Sequence, residues 1–317
     1  EIIFNELEEF PDLVLATSML DITTFLSLTR KRSANIPVAM YFHENQLTYP
    51  WSPQDRDVKK KRNNHYSFIN YASALAADKV FFNSKYHMDS FLGALPKFLK
   101  QFPDKRERDN IEVIREKSEV LHLGLDLKRF EGFRSSDKEK QSEATILWNH
   151  RWEYDKNPED FFAVLFKLSE QQVPFELAVL GQQFRDVPPI FAEAQVRLAE
   201  HVICWGPQPE AEYRALLNGG GIVVSTTWHE FQGLAIMEAA QRGATPLVPD
   251  RLCFPELYPA QYRYDGTQEG LYQRLKAWLL DPGSQPAQLD TQPWQWPRWR
   301  ETYRQLLVEG QLMTCSA

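Results

Sequence analysis

The sequence predicts an α/β protein built from two doubly wound domains. Three observations carry that expectation. At 317 residues the chain exceeds the usual size of one domain, so two of ordinary size are expected. From residue 144 onward, short β-rich runs alternate with amphipathic segments of helical length, as in a parallel sheet with right-handed crossovers. The first half repeats the theme with fewer strands.

In that first half DLVLAT (12–17), PVAMYFH (37–43), KVFFNS (79–84) and EVLHLG (119–124) read as strands with helical segments between them. No glycine-rich turn precedes the first strand, so an opening strand–helix unit is expected to be missing ahead of it. The polar stretch GFRSSDKEKQSEA, 132 to 144, has the composition of a linker. ATILWN (144–149) then leads to a helix from about Pro158, with Phe161, Phe162, Leu165 and Leu168 spaced for one face. FELAVLG (175–181) precedes a helix near Pro189, where proline suits the first turn. HVICWG (201–206) leads into PEAEYRALL, and GGIVVSTT (220–227) into LAIMEAAQRG. ATPLVP (244–249) and YRYDG (262–266) follow, then a helix through Leu271 to Leu280. The tail QPWQWPRWRETYRQLL is too aromatic for a free linker and reads as a closing helix. The expected division is 1–130 for the first domain, 131–143 for the linker, 144–290 for the second domain and 291–317 for the closing helix and tail.

Composition bounds the function. Hydrophobic residues at 43% with 25% charged residues describe a globular chain. No apolar run approaches the ~20 residues needed to cross a bilayer, and the acidic start EIIFNELEEF lacks the basic flank and apolar core of a signal peptide. Cys204, Cys253 and Cys315 are odd in number and show no metal-ligand spacing, which suits a reduced, cytoplasmic protein. The first two are expected to be small buried hydrophobes. The net charge of −7 lies wholly beyond residue 122, because residues 1–122 carry 17 basic and 17 acidic side chains. That balance argues against nonspecific nucleic-acid coating, yet the run Lys59, Lys60, Lys61, Arg62 leaves room for a local basic face. The looser basic scatter at 97–117 reads as ordinary solvated surface.

In open α/β sheets ligands bind beyond the carboxyl ends of the strands. In the second half those positions hold Arg151 and Lys156, then Gly181, then Trp205 and Gly206, and finally HEFQG at the start of the helix carrying Glu238. Two cations on one loop suggest an anion: Arg151 can bind phosphate bidentately and Lys156 adds a mobile point charge. The turn Phe231-Gln232-Gly233-Leu234 would offer backbone N–H groups at a helix N-terminus, with Gly233 allowing close approach. This describes a pyrophosphate cradle without a P-loop or GxGxxG fingerprint. Glu230 and Glu238 frame it. Carboxylates beside phosphate are costly unless they bind hydroxyls, so a sugar carried on the diphosphate is the natural ligand. A solvated face would be the plain account of Glu238, but its neighbours Ile236, Met237, Ala239 and Ala240 make that helix buried.

With those residues in view, HEFQGLAIMEAAQRG resembles the E-x7-E signature of retaining GT-B glycosyltransferases, which have two Rossmann-like domains facing a cleft. Arg151 and Lys156 match the diphosphate-binding pair of that family, and LHLGLDLKRF (121–130) resembles its interdomain segment. YFHENQLTYP and STTWHEFQG, with DLVLATSMLD and ADKVFFNSKYHMDSFL, are similar to the tRNA-queuosine mannosyltransferases within that superfamily. The resemblance runs from about residue 12 to 260. It implies transfer of mannose from GDP-mannose to queuosine at the tRNA wobble position, with retention, and with neither a cofactor nor a metal. It also implies Glu230 and His43 as the catalytic pair, His43 touching the donor sugar across the cleft. Glu44, Asn45 and Gln46 would reach acceptor hydroxyls or the nucleobase, with Asn83 and Ser84 as further acceptor-side candidates. The Lys59–Arg62 run, near Trp51 and Tyr66, would suit the phosphates and bases of an anticodon loop, although a solvated loop accounts for it equally well.

Three further points complete the expectation. Asp55-Arg56-Asp57 imitates a D-x-D metal motif but lies in a polar loop away from any strand end. His229 is expected to be structural. Two other functions fit the same residues: a glycosyltransferase of this fold acting on a lipid or saccharide, and an idle module that binds RNA or a nucleotide sugar. The first would call for an apolar membrane-facing patch that is not evident in the sequence. The second is opposed by the intact Glu230, Glu238, Arg151 and Lys156.

Overall fold

The computed structural model describes Phe4 and residues 6–50, 64–104, 106–126, 145–184 and 186–307. The chain divides into two compact units, Glu1–Gly124 with Trp299–Ala317, and Leu125–Arg298. The linker expected at 131–143 lies outside the described residues, as do Lys59–Arg62, Trp51, Asp55–Asp57 and Cys315. Among the described residues no helix is long and apolar enough to cross a membrane.

The first unit is a parallel four-stranded sheet in the order β1-β2-β3-β4. The strands are β1 (Val14–Thr17), β2 (Val38–Phe42), β3 (Lys79–Phe82) and β4 (Ser118–Val120), joined by α1 (Ile22–Ser33), α2 (His65–Ala76), α3 (Lys85–Leu99) and α4 (Asn110–Glu116). Alternation along the strands sends side chains to two different cores. Met40, Phe42, Val80 and Phe82 enter the helix-side core with Phe91, Leu95 and Ile114. Phe42 stacks on Phe82 at 4.9 Å and leans on Phe91 at 4.8 Å, so truncating it to alanine would cost about 3–5 kcal/mol. Ala39, Phe81 and Leu121 face the other way, against Tyr41 and against Tyr303 and Leu306 from α11 (Trp296–Leu307). Thus the far end of the chain covers the back of the first sheet. Sequence analysis predicted a closing helix but not its seat; only contact with the sheet supplies that.

The second unit is a parallel six-stranded sheet, β5 (Thr145–Trp148), β6 (Glu176–Val179), β7 (Val202–Trp205), β8 (Ile222–Val224), β9 (Thr245–Pro249) and β10 (Arg263–Tyr264). Its order is β10-β9-β8-β5-β6-β7. The chain therefore winds outward from β5 in one direction, crosses back to β8, and winds outward in the other. The connecting helices include α5 (Pro158–Glu170), α6 (Ile190–Arg197), α7 (Glu210–Asn218), α8 (Leu234–Gln241), α9 (Phe254–Leu257) and α10 (Gln268–Leu280). β5, β8 and β9 are buried throughout except for Thr245, as strands covered on both faces must be. α5 buries Phe161, Phe162, Leu165 and Leu168, the face its spacing predicts. Cys253 is fully buried while Cys204 is half-buried.

Neighbouring strands that leave the sheet in opposite winding directions cannot have their following loops cover each other. A crevice opens where the order reverses, and here that is between β5 and β8. The carboxyl ends of those two strands lead to Asn149–Lys156 and to Ser225–Gly233.

Candidate active site

The loop after β5 is drawn across to α8 by Asn149, whose Nδ2 donates to the Ala235 carbonyl oxygen at 2.7 Å. The chain then passes close to the end of β6. Gly181 has φ +108°, and a Cβ there would lie 1.9 Å from the His150 carbonyl oxygen. Only glycine permits that approach. Gly206 also has positive φ, +95°. Both glycines lie just beyond strand ends, Gly181 after β6 and Gly206 after β7.

A 3-10 turn, Tyr154–Lys156, follows, and Asn157 leaves it in the left-handed region at φ +52°. Asn157 then caps α5, its side chain accepting from the Asp160 amide. This turn is stitched to the loop after β8. The Thr226 hydroxyl meets the Lys156 and Asn157 carbonyls at 3.0 and 2.8 Å, and the Thr227 hydroxyl donates to the Asp155 carbonyl at 2.9 Å. Arg251 clamps the same loop from the side, donating to the Thr226, Thr227 and Gly266 carbonyls. Two loop segments far apart in sequence are therefore tied together by hydrogen bonds.

At their junction sits a buried charge cluster. The Lys156 ammonium lies 3.3 Å from Glu230 Oε2 and 3.2 Å from Asp155 Oδ2, and donates to the His229 carbonyl at 3.1 Å. Burial works against that ammonium, yet Glu230 and Asp155 raise its pKa above the usual lysine value. Burial would likewise raise the Glu230 carboxyl, but Lys156, His150 and the Gly233 and Gln232 backbone hold it down at about 2. His150 and His229 are both buried, and burial together with Lys156 pushes each of them down to about 4. At neutral pH the Lys156 ammonium therefore faces an ionised Glu230, flanked by two neutral imidazoles.

The predicted anion cradle takes a different form from the one expected. Gly233 does cap α8, at φ +75°. However, Glu230 Oε1 accepts from the Phe231 and Gln232 amides at 3.2 and 3.4 Å. The chain's own carboxylate thus occupies the backbone donors just ahead of α8. Phe231 and Gln232 are buried and Leu234 is exposed. Arg151 is exposed, with its guanidinium 3.1 Å from Glu153. Glu238 is half-buried on α8 between buried Met237 and Ala239.

Trp205 stands at the end of β7, where the donor-site expectation put it, and also packs on the core. Its indole packs on Trp152 at 5.5 Å and Phe162 at 6.0 Å, against the edge of the main core of the unit. Trp205 is half-buried, so part of its ring surface is covered by the core and part is not.

In the first unit the segment after β2 is in part structural. His43 is exposed and Glu44 and Gln46 are half-buried, so these three present side chains outward. Asn45 is fully buried, and its Oδ1 accepts from the Leu47 and Thr48 amides at 3.1 and 3.0 Å. It builds the turn, as asparagine commonly does. Asn83 and Ser84 also give way to structural roles. Asn83 Nδ2 donates to the His43 carbonyl and its Oδ1 pairs with His87 Nδ1 at 2.8 Å, while Ser84 Oγ caps α3 by accepting from the His87 amide. Both are buried with their side-chain hydrogen bonds directed into the protein.

Sequence reasoning missed Asp155, His150, Asn149 and Arg251. Asp155 lies between Arg151 and Lys156, so its proximity was legible; its burial was not.

Comparison with known proteins adds the identity of the scaffold. The family described as tRNA-queuosine alpha-mannosyltransferase N-terminal matches residues 2–125. The tRNA-queuosine alpha-mannosyltransferase of Drosophila melanogaster is 36% identical over 268 residues, which span 83% of this chain and 69% of that protein. Among solved structures, sucrose-phosphate synthase from Thermosynechococcus elongatus superposes with a TM-score of 0.68 at 15% identity, covering 96% of this chain and 74% of its own. Anabaena HepE in complex with UDP and glucose gives a TM-score of 0.59 at 16% identity, covering 94% and 77%. The structural likenesses establish the fold, and the sequence relative establishes the kinship. The chain is a glycosyltransferase of the GT-B fold and belongs to the tRNA-queuosine alpha-mannosyltransferase family.

Proposed function

We propose that the protein transfers mannose from GDP-mannose to queuosine in tRNA, with retention at the anomeric carbon, and that it works in the cytoplasm. The observation that carries the donor half is the Lys156 ammonium held 3.3 Å from Glu230 at the β5/β8 switch point. The acceptor half rests on the 36% identity to a tRNA-queuosine alpha-mannosyltransferase.

In this reading Lys156, Arg151 and the first-turn amides of α8 receive the diphosphate, while Glu238 accepts from the ribose hydroxyls and Glu230 from the sugar. The acceptor hydroxyl oxygen bonds to the anomeric carbon on the face from which the diphosphate leaves. The bond from that carbon to the β-phosphate oxygen breaks, and the acceptor proton passes to the departing phosphate. The protein's share is positioning and stabilisation of charge on the leaving group. No enzymic nucleophile is required. In the first unit, His43 keeps the catalytic assignment implied by the family, and Glu44 and Gln46 the acceptor contacts.

The test is to incubate the protein with labelled GDP-mannose and tRNA, with and without queuosine. Label should enter only queuosine-containing tRNA. Equal transfer to tRNA lacking queuosine, or label in a lipid extract, would overturn the acceptor. Strong thermal stabilisation by UDP but not GDP would overturn the donor. Removing one charge-stabilising group, as in Lys156→Met, should lower kcat on the order of 10²–10³-fold.

A further inference from the structure

The second unit holds a carboxylate that the proposed reaction does not use. Asp155 has a side chain 1% exposed, and its charge partner is the Lys156 ammonium at 3.2 Å. Neither of its carboxylate oxygens makes a hydrogen bond of good geometry. Its backbone is fixed, because its carbonyl accepts from the Trp228 amide at 2.8 Å and from the Thr227 hydroxyl at 2.9 Å. The side chain therefore cannot turn away to water.

This arrangement is costly on two counts. A buried carboxylate with a single ammonium and no hydrogen bonds is poorly repaid for its lost solvation. It also places a second acidic side chain, beside Glu230, on the buried ammonium that the proposed reading gives to the diphosphate. A site built only to bind diphosphate tightly would have an amide there. Asp155 differs from Glu230 in an important respect: Glu230 has the Phe231 and Gln232 amides to keep it when Lys156 moves, whereas among the described residues no backbone amide meets the Asp155 carboxylate. When a ligand takes Lys156 from the cluster, Asp155 is the group that loses its ammonium without backbone amides to replace it.

We propose that Asp155 is a positioning residue that competes with the nucleoside diphosphate for Lys156. It holds the ammonium in place in the unliganded site, and it weakens binding of the diphosphate product so that the product departs and Lys156 returns. The inference rests on the reading that Lys156 meets the donor diphosphate. It adds to that reading a device for releasing product, located in a residue of the loop that touches no substrate.

The experiment measures binding of GDP, and in parallel UDP, to the full chain by calorimetry, in wild type, Asp155→Asn, Asp155→Glu and Lys156→Met. The parent reading requires that Lys156→Met weaken whichever diphosphate the wild type binds; if it does not, that reading fails whatever Asp155 does. Given that loss, Asp155→Asn should bind the same diphosphate roughly tenfold more tightly, with a slower off-rate in stopped-flow displacement, and kcat and the donor KM should fall together. Asp155→Glu, which keeps the charge, should return affinity towards wild type. A residue that merely braces the loop would give the opposite sign: Asp155→Asn would bind more weakly or unchanged, and that result overturns the proposal. Asp155→Ser is a second route to a neutral side chain if the Asn variant does not fold. Failure of both neutral variants to fold, with Asp155→Glu folded, would also overturn it, by making the carboxylate a requirement of the fold.

Discussion

The pair of buried histidines beside Lys156 makes the second unit sensitive to mild acid. His150 and His229 are each held at about 4, by burial first and by Lys156 second, against an ordinary value of 6.5. Between those values the unfolded chain takes up protons that the folded chain refuses. The stability these residues contribute is therefore complete above pH 6.5 and is lost as pH falls towards 4. Lowering pH from 7.0 to 5.5 crosses one unit below the unfolded value, which corresponds to about 1 kcal/mol per histidine and about 2 kcal/mol for both. Glu230 adds nothing in this window: its carboxyl is held at about 2 against 4.5, so its contribution is lost only below pH 4.5. Urea unfolding followed by tryptophan fluorescence reads the right unit, because Trp148, Trp152 and Trp278 are buried there. Stability should fall between pH 7.0 and 5.5, and the His150→Gln/His229→Gln double variant should lose most of that fall. An equal fall in the double variant, or a wild-type stability that is flat over this range, would refute the reasoning.

Three other predictions follow from single contacts. Gly181→Ala places a Cβ 1.9 Å from the His150 carbonyl at a φ of +108°, so it should cost about 3 kcal/mol and reduce the thermal shift produced by GDP, both read in one melting experiment. Ser84→Ala removes the cap of α3 and should lower stability by about 1 kcal/mol while leaving the KM for tRNA unchanged; a raised KM at unchanged stability would restore Ser84 to the acceptor site. Arg251→Ala strips donors from the Thr226, Thr227 and Gly266 carbonyls, which should cost about 1–3 kcal/mol and raise the donor KM in steady-state assays.

Much of the fold was legible because its signals are local. Runs such as VAMYF and TILW are apolar and β-rich, and parallel strands covered on both faces need little else. The second-unit candidates were legible for the same reason, since Arg151, Lys156 and Glu230 follow strands and strand ends are where such sheets bind ligands. The segment HENQ was read less completely. A polar side chain after a strand can face a ligand or tie down a turn, and Asn45 and Asn83 spend their hydrogen bonds on the protein. Spacing along the chain cannot separate those cases, because each hydrogen bond depends on a partner brought in by folding.

By itself the sequence determined the alternation of strands and helices, the cations and acids at the strand ends, and the glycine positions where the backbone must turn. Tertiary structure alone decided three things. It reversed the strand order between β5 and β8, so that two loops some 70 residues apart close on one ammonium. It laid Tyr303 and Leu306 on the back of a sheet begun nearly 300 residues earlier. It buried the Asp155 side chain against the Lys156 ammonium, 3.2 Å away, where the sequence showed only a loop carboxylate. The physical reason is common to all three: pairing and desolvation are properties of surfaces in contact, and those surfaces exist only once the chain has folded.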